Sequence, residues 1–425
     1  MTTHFAKGSR SIIFNQNQKS LALDNILASI NIDAKRVLLI PPDYTRLHSD
    51  AGNLTAMLYA KLSSNAHVDI LPALGTHVPM TQDEIISMFG NEIPMDRFLI
   101  HDWRNGVTEL GIVPEEKIAQ LSEGAVKYPM QVAISNHLVN GNYDLILSIG
   151  QIVPHEVIGM ANYTKNICIG VGGADMINKS HYLGAAYGIE RILGNTVTPV
   201  RQALDYGFNQ FINHLPIHFI FTVMAKENEK LVMRGLYGGD DFATFEKAAK
   251  LSQQVNLDLL DQPIKKAIVY LEPGEFKSTW LGNKAVYRLR KAMADDGELI
   301  ILAPALREFG EDKEIDRLIR KYGYLGTPTT LQQCKDNDEL RNNLSAAAHL
   351  IHGASEGRFS ITYCPGENIS QQEIESVGYK YKSYAEMSTL YNPNILKDGY
   401  NQVNEEEIFY VSNPALGLWA LKSDF

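Results

Sequence analysis

The chain has 425 residues, 45% of them hydrophobic and 21% charged, enough to bury the cores of two or three domains. A formal charge of −10 excludes a surface built to neutralise phosphate backbones, so the expected partner is a small molecule and not nucleic acid. Three cysteines, Cys168, Cys334 and Cys364, form no CxxC pair and are an odd count, so neither a disulfide framework nor a thiolate zinc site is suggested, which suits a reducing cytoplasm. There is no run of about 18 apolar residues and no leader-like apolar core near the start, so the chain is expected to be soluble, cytoplasmic and away from membranes.

In chain order, short apolar runs recur as RVLLIPPD, HVDILPAL, YDLILSIG, HFIFTVMA, KAIVYLEP, ELIILAPA and FSITYC. Helix-like segments separate them, among them 54–64, 245–260 and 284–295. This alternation predicts an α/β protein with mostly parallel, buried strands. Pro263, between a helix-like segment and a new strand, marks the preferred boundary. The expectation is therefore a larger N-terminal Rossmann-like α/β domain over 1–263 and a smaller α/β domain over 264–403. Segment 404–425 is a candidate to rejoin the first domain, and the active site is expected between the two.

In parallel sheets, ligands bind beyond the carboxyl ends of the strands, which draws attention to the polar residues standing there. After RVLLIPP come Asp43, Tyr44, Thr45 and Arg46. This stretch is either a turn in which Asp43 or Thr45 caps a helix, or an anion site built on the arginine fork. After HVDILPAL comes Gly75-Thr76-His77, then Thr81 and Glu84 spaced as a capping box. His77 is either a loop histidine held by a carbonyl or a proton carrier. After YDLILSIGQIV comes PHEVIGMANYTKNICIGVGG, which places His155 at a strand exit and Lys165 ten positions on. A buried lysine without a carboxylate is costly, so Lys165 is expected to be exposed, paired or chemically used. Gly170, Gly172 and Gly173 could bring backbone N–H groups to a phosphate, or simply form a turn. His181 completes three histidines in separate segments, which leaves open a zinc site of no sequence-level specificity. Lys284 and Arg288 lie at i and i+4 on a helix face of the kind that is usually solvated.

As an ordered set, these positions resemble the nickel-dependent lactate racemase family. The shared pattern is DxTR at Asp43–Arg46, LGTH at Leu74–His77, PHxxxG with a later lysine at Pro154, His155, Gly159 and Lys165, then His181 and Lys284. The resemblance implies a nickel-pincer nucleotide, a pyridinium mononucleotide with two sulfur arms, attached to Lys165 through a thioamide, with His181 as a nickel ligand. It further implies that His77 and His155 are paired acid/bases, that Asp43 supports the site, and that Arg46 and Lys284 orient a substrate carboxylate. Thr45 with Gly170, Gly172 and Gly173 would contact the cofactor phosphate.

The implied reaction is inversion at C2 of a 2-hydroxy acid by proton-coupled hydride transfer, with D-mannonate and D-gluconate as the first expectation for substrate. Cofactor-biosynthesis proteins are the implied partners, and a homo-oligomer is compatible with the sequence. Alternatives are a racemase of lactate or malate, a zinc hydrolase on the three histidines, and a non-catalytic sugar-acid binding protein. Two departures stand out. The family's lysine commonly follows Gly-Gly-Arg, whereas here Ala161-Asn162-Tyr163-Thr164 precedes it, and a glutamine of lactate racemases is replaced by Leu281 beside Trp280.

Overall fold

The computed structural model describes residues 2–424 apart from 32, 228, 229, 311 and 416. Its contacts divide into two compact units. One comprises the chain up to Ser180 together with Leu193–Asn256, and the other comprises His181–Ile192 and the chain from Leu257 onward.

The first unit is built on a six-stranded sheet of β1 (Thr3–Gly8), β2 (Arg36–Ile40), β3 (His67–Ile70), β4 (Leu145–Gln151), β5 (Ile217–Glu227) and β6 (Lys230–Gly239), in the order β1-β6-β5-β4-β2-β3. The four strands from β3 to β5 are parallel neighbours, and β6 and β1 add antiparallel edges. Parallel strands covered on both faces must be apolar throughout, and Val37, Leu38, Leu39 and Ile40 are accordingly all buried. Alternate residues, Val37 and Leu39 with Leu145, Leu147 and Ile149, pack into one core with Leu23 and Ile26 of helix Gln16–Ile30 and Leu54 and Leu58 of helix Ala51–Leu62. From β2 the chain steps to β3 on one side and returns to β4 on the other. This places a topological switch point at the carboxyl ends of β2 and β4, where α/β sheets open a crevice.

The second unit has its own six-stranded sheet of β7 (Ile264–Tyr270), β8 (Met293–Ala303), β9 (Phe359–Pro365), β10 (Lys380–Tyr381), β11 (Gly399–Val403) and β12 (Glu406–Val411), in the order β10-β9-β8-β7-β12-β11. All neighbours are parallel except β11 and β12. Ile268, Ile300, Leu302, Cys364 and Tyr410 form its core against Met387 and Tyr391.

All seven apolar runs named from sequence are strands. The helix expected over 284–295 is shorter, Lys284–Leu289, because Met293 already begins β8. The units divide at 256/257 and not at 263, because Asp258–Leu260 pairs with Trp419–Leu421. Segment 404–425 does not return to the first unit: β12 lies beside β7. No helix among the described residues is long and apolar enough to cross a membrane.

Candidate active site at the strand exits of the first unit

Three adjacent strand exits converge here. After β2 and β3, Pro42 bridges Ala73, and the N–H of Ala73 donates to the Pro41 carbonyl at 2.8 Å. The turn Leu74–His77 needs Gly75 in the left-handed region, at φ 56°, and the Gly75 N–H donates at 2.8 Å to the carbonyl of Gly170, beyond the exit of β4. Thr81 and Glu84 close the next helix with the expected capping box.

Asp43 is buried and does not cap the following 3₁₀ turn with its side chain. It accepts instead from Thr45 Oγ1 at 2.6 Å and pairs with His77 Nδ1 at 2.6 Å. Burial pushes the Asp43 carboxyl up, but the hydrogen bonds from His77 and Thr45, with the charges of His77 and Arg46, outweigh it and hold the group below the usual carboxylate range. An ionised Asp43 accepts Nδ1–H, so the neutral His77 ring carries its lone pair on Nε2. The His77 side chain is about half exposed.

His155 lies in a two-residue hairpin, Pro154–His155 against Gly159–Met160. Its Nδ1 accepts the Val157 N–H at 3.1 Å, so the neutral ring carries its proton on Nε2. The two histidines thus present opposite proton states, His77 as acceptor and His155 as donor.

Lys165 stands at the start of a π turn, Asn166–Gly170, a geometry that recurs at functional sites. Among the described residues its Nζ makes no hydrogen bond or ion pair, since Arg46 and Arg201 approach it as like charges and Glu156 acts only through its field. Burial, then Arg46, then Arg201 lower its ammonium from 10.5 to about 8 against the opposing pull of Glu156. Asn166 fixes the turn, donating from Nδ2 to Ser148 Oγ at 2.9 Å and to the Ile40 carbonyl at 3.3 Å.

The run before the lysine has a structural answer. Asn162 and Tyr163, where the family pattern has two glycines, both sit at positive φ, 68° and 59°. Tyrosine is an outlier there, and such strain persists only where the surroundings over-determine it. They do so here: Tyr163 packs its ring among Phe219, Phe221, Phe242 and Phe245. Buried Arg201 donates to the Met160 and Asn162 carbonyls at 2.8 and 3.0 Å and to Thr164 Oγ1 at 2.7 Å. No local sequence signal marks Arg201.

The glycine turn is not a spare phosphate cradle. The N–H groups of Val171, Gly172 and Gly173 donate to Asn166, Ile169 and Ala133 carbonyls. A Cβ at Gly172 would fall 1.8 Å from the Cys168 carbonyl oxygen, so glycine is demanded by packing. The next helix opens with Asp175 in its first turn, which disfavours an anion. Buried His101, also unmarked in the sequence, donates from Nε2 to the Gly172 carbonyl at 3.0 Å and stiffens the turn. Thr45 is engaged with Asp43, and its hydroxyl also accepts from Arg46 at 3.1 Å.

His77 and His155 share no converging third histidine, cysteine or carboxylate among the described residues, so a three-ligand zinc centre is not assembled on them. His181 and Lys284 belong to the second unit. His181 is partly buried on helix Ala174–Tyr187, while Lys284 opens its helix 3.9 Å from Glu275 and over the Phe276 ring. Leu281 is exposed, and Trp280 packs on buried His349.

The first unit thus brings an Asp43-paired histidine, a second histidine and a lysine of lowered pKa to adjoining strand exits of one α/β sheet. Residues 18–189 match the lactate racemase N-terminal domain. The whole chain is similar in fold to two solved structures. One is a Thermotoga maritima protein, 21% identical with a TM-score of 0.76, over 96% of this chain and 99% of that one. The other is the lactate racemase apoprotein of Thermoanaerobacterium thermosaccharolyticum, 16% identical with a TM-score of 0.67, over 92% of this chain and 88% of that one. No curated protein matches the chain.

Proposed function

We propose that the protein is a racemase or epimerase inverting C2 of a 2-hydroxy acid, and that Lys165 carries a nickel-pincer nucleotide. The match to the lactate racemase N-terminal domain supports an isomerase. The observation that carries the rest is Lys165 itself, a partly buried amine with no hydrogen-bond partner among the described residues and lowered to about 8. Such a side chain is costly unless it reacts, and a neutral amine is the form that makes a thioamide. When bound, the group supplies hydride acceptance from C2 and return to the opposite face.

The chain's own residues do the remainder. His77 Nε2, oriented by the Asp43 bond to Nδ1, takes the hydroxyl proton, while His155 Nε2–H restores a proton on the other face. Arg46, exposed beside Lys165, orients the substrate carboxylate, a task for a planar fork. His181 and Lys284 keep the roles the resemblance implies, a nickel ligand and a second carboxylate partner. Because the lactate-type glutamine is absent at Leu281, an aldonate, D-mannonate or D-gluconate, is the substrate proposed first. The protein is cytoplasmic in this reading and depends on cofactor-biosynthesis proteins.

The test is intact mass and turnover of protein made in a host that assembles the pincer. Expected are a mass increase that Lys165→Ala abolishes and interconversion of gluconate and mannonate. An unmodified Lys165 with activity intact refutes the tether, whereas inversion of lactate or malate but not gluconate refutes only the substrate.

A further inference from the structure

A second cluster lies apart from the strand exits, at the opposite edge of the first sheet. Thr3 pairs with Gly239 and Phe5 with Gly238, so β1 spends two steps where β6 spends one, and His4 is the extra residue of a bulge. Bulges re-aim side chains, and this one turns His4 toward β5, on the far side of β6. The intervening residues of β6 are Gly238 and Gly239, so no side chain of the middle strand separates His4 from His218, which precedes Phe219 on β5. His4 Nε2 and His218 Nδ1 meet at 3.0 Å, with ring planes tilted by 50°. A carboxylate oxygen of Asp240, at the end of β6, completes a triangle with no side above 4.8 Å.

We propose that His4 Nε2, His218 Nδ1 and Asp240 form a binding site for a borderline divalent transition ion, of the class of Zn²⁺, Co²⁺ or Ni²⁺. Two imidazole nitrogens on one such ion, each at roughly 2.0–2.1 Å, stand roughly 2.8–3.4 Å apart for right-angled to tetrahedral geometry. The observed 3.0 Å meets that span before any ion is added. Two imidazoles and one carboxylate are the donor set such ions prefer over Mg²⁺ or Ca²⁺. The outer contact is also in place: His4 Nδ1 lies 3.1 Å from Ser29 Oγ, and donation there leaves the Nε2 lone pair directed at the site. Asp240 also accepts the Thr2 N–H, which ties the first residues of the chain to the same point. A bound ion would therefore staple β1 to β5 across β6.

The competing account is a bare N–H···N hydrogen bond between the rings, and a titration separates the two. Untagged, full-length protein, stripped of metal by chelation and not loaded with any nucleotide, is titrated with Co²⁺ alone and followed by visible d–d absorption. One equivalent is expected. His4→Ala or His218→Ala should weaken it by about 10²-fold or more, and Ser29→Ala by about tenfold. A His77→Ala, His155→Ala, His181→Ala triple variant should retain it. His4→Ala alters only an edge strand, and circular dichroism verifies its fold. Absence of a bound equivalent in the parent protein overturns the proposal, as does an equivalent that survives both His4→Ala and His218→Ala.

Discussion

Arg46→Met perturbs Lys165 without touching the lysine or its backbone. With its pKa lowered from 10.5 to about 8, Lys165 is about half neutral at pH 8, whereas an ordinary lysine is neutral in about one part in 300. Burial is the larger cause and stays in the variant, and Arg46 is the next. Removing an exposed, solvent-screened like charge worth about 1 kcal/mol returns the neutral fraction at pH 8 toward about one sixth, a loss of about threefold. Glu156→Gln acts with the opposite sign, because that carboxylate favours the ammonium. The assay is competitive isotopic acetylation across pH 6.5–10 on protein without cofactor, with the Lys165 peptide quantified by mass spectrometry against surface lysines. Labelling of Lys165 that rises only near pH 10, or that ignores both variants, refutes the argument that this amine is poised. Linkage has a definite sign here: the folded state disfavours the proton, so the penalty is full below about 8 and is relieved as pH climbs toward 10.5.

Two further outcomes are expected. Asp43→Asn removes the charge behind His77 Nδ1 and should lower turnover by about 10- to 100-fold while leaving the fold intact. The folded pKa of Asp43 is depressed, so its stabilisation is present above the ordinary 3.8 and disappears as pH falls through the lower folded value. Urea unfolding of parent and variant should accordingly differ by about 1–2 kcal/mol at pH 7 and converge in acid; equal curves at pH 7 would count against the pairing. Gly172→Ala drives a Cβ into the Cys168 carbonyl and should cost about 3 kcal/mol or more, against about 1 kcal/mol for Gly173→Ala, whose Cβ meets Ala133 at 3.1 Å. Equal midpoints for the two alanine variants would show that packing is not what the turn demands of Gly172.

Much of the sheet was legible because buried parallel strands leave an unbroken apolar signature, as at Val37–Ile40, bounded by Pro or Gly. The antiparallel edges were harder. β6 reads KLVMRGLYGG, with an arginine and three glycines that suppress the pattern, and strand Val107–Val113, paired with Met130–Ser135, is largely part-exposed. At the site, Asp43, His77 and His155 were visible because each closely follows a sheet strand, and Lys165 because a lysine in an apolar, glycine-rich stretch is costly to bury. The pairing of Asp43 with His77 was not, since it joins two exits 34 residues apart. The glycine turn misled for a physical reason: glycine serves close packing as readily as anion approach, and only the hydrogen-bond partners of its N–H groups tell the two apart.

Tyr163, Arg201 and Phe245 have a consequence for inheritance. A left-handed tyrosine is tolerable only while its ring is wedged in the aromatic cluster, and Arg201 lies over Phe245 as it braces the adjoining carbonyls. A chain with glycines at 162 and 163 could change positions 201 and 245 one at a time. In this one the three are coupled, and a change at any of them exposes the strain held by the others.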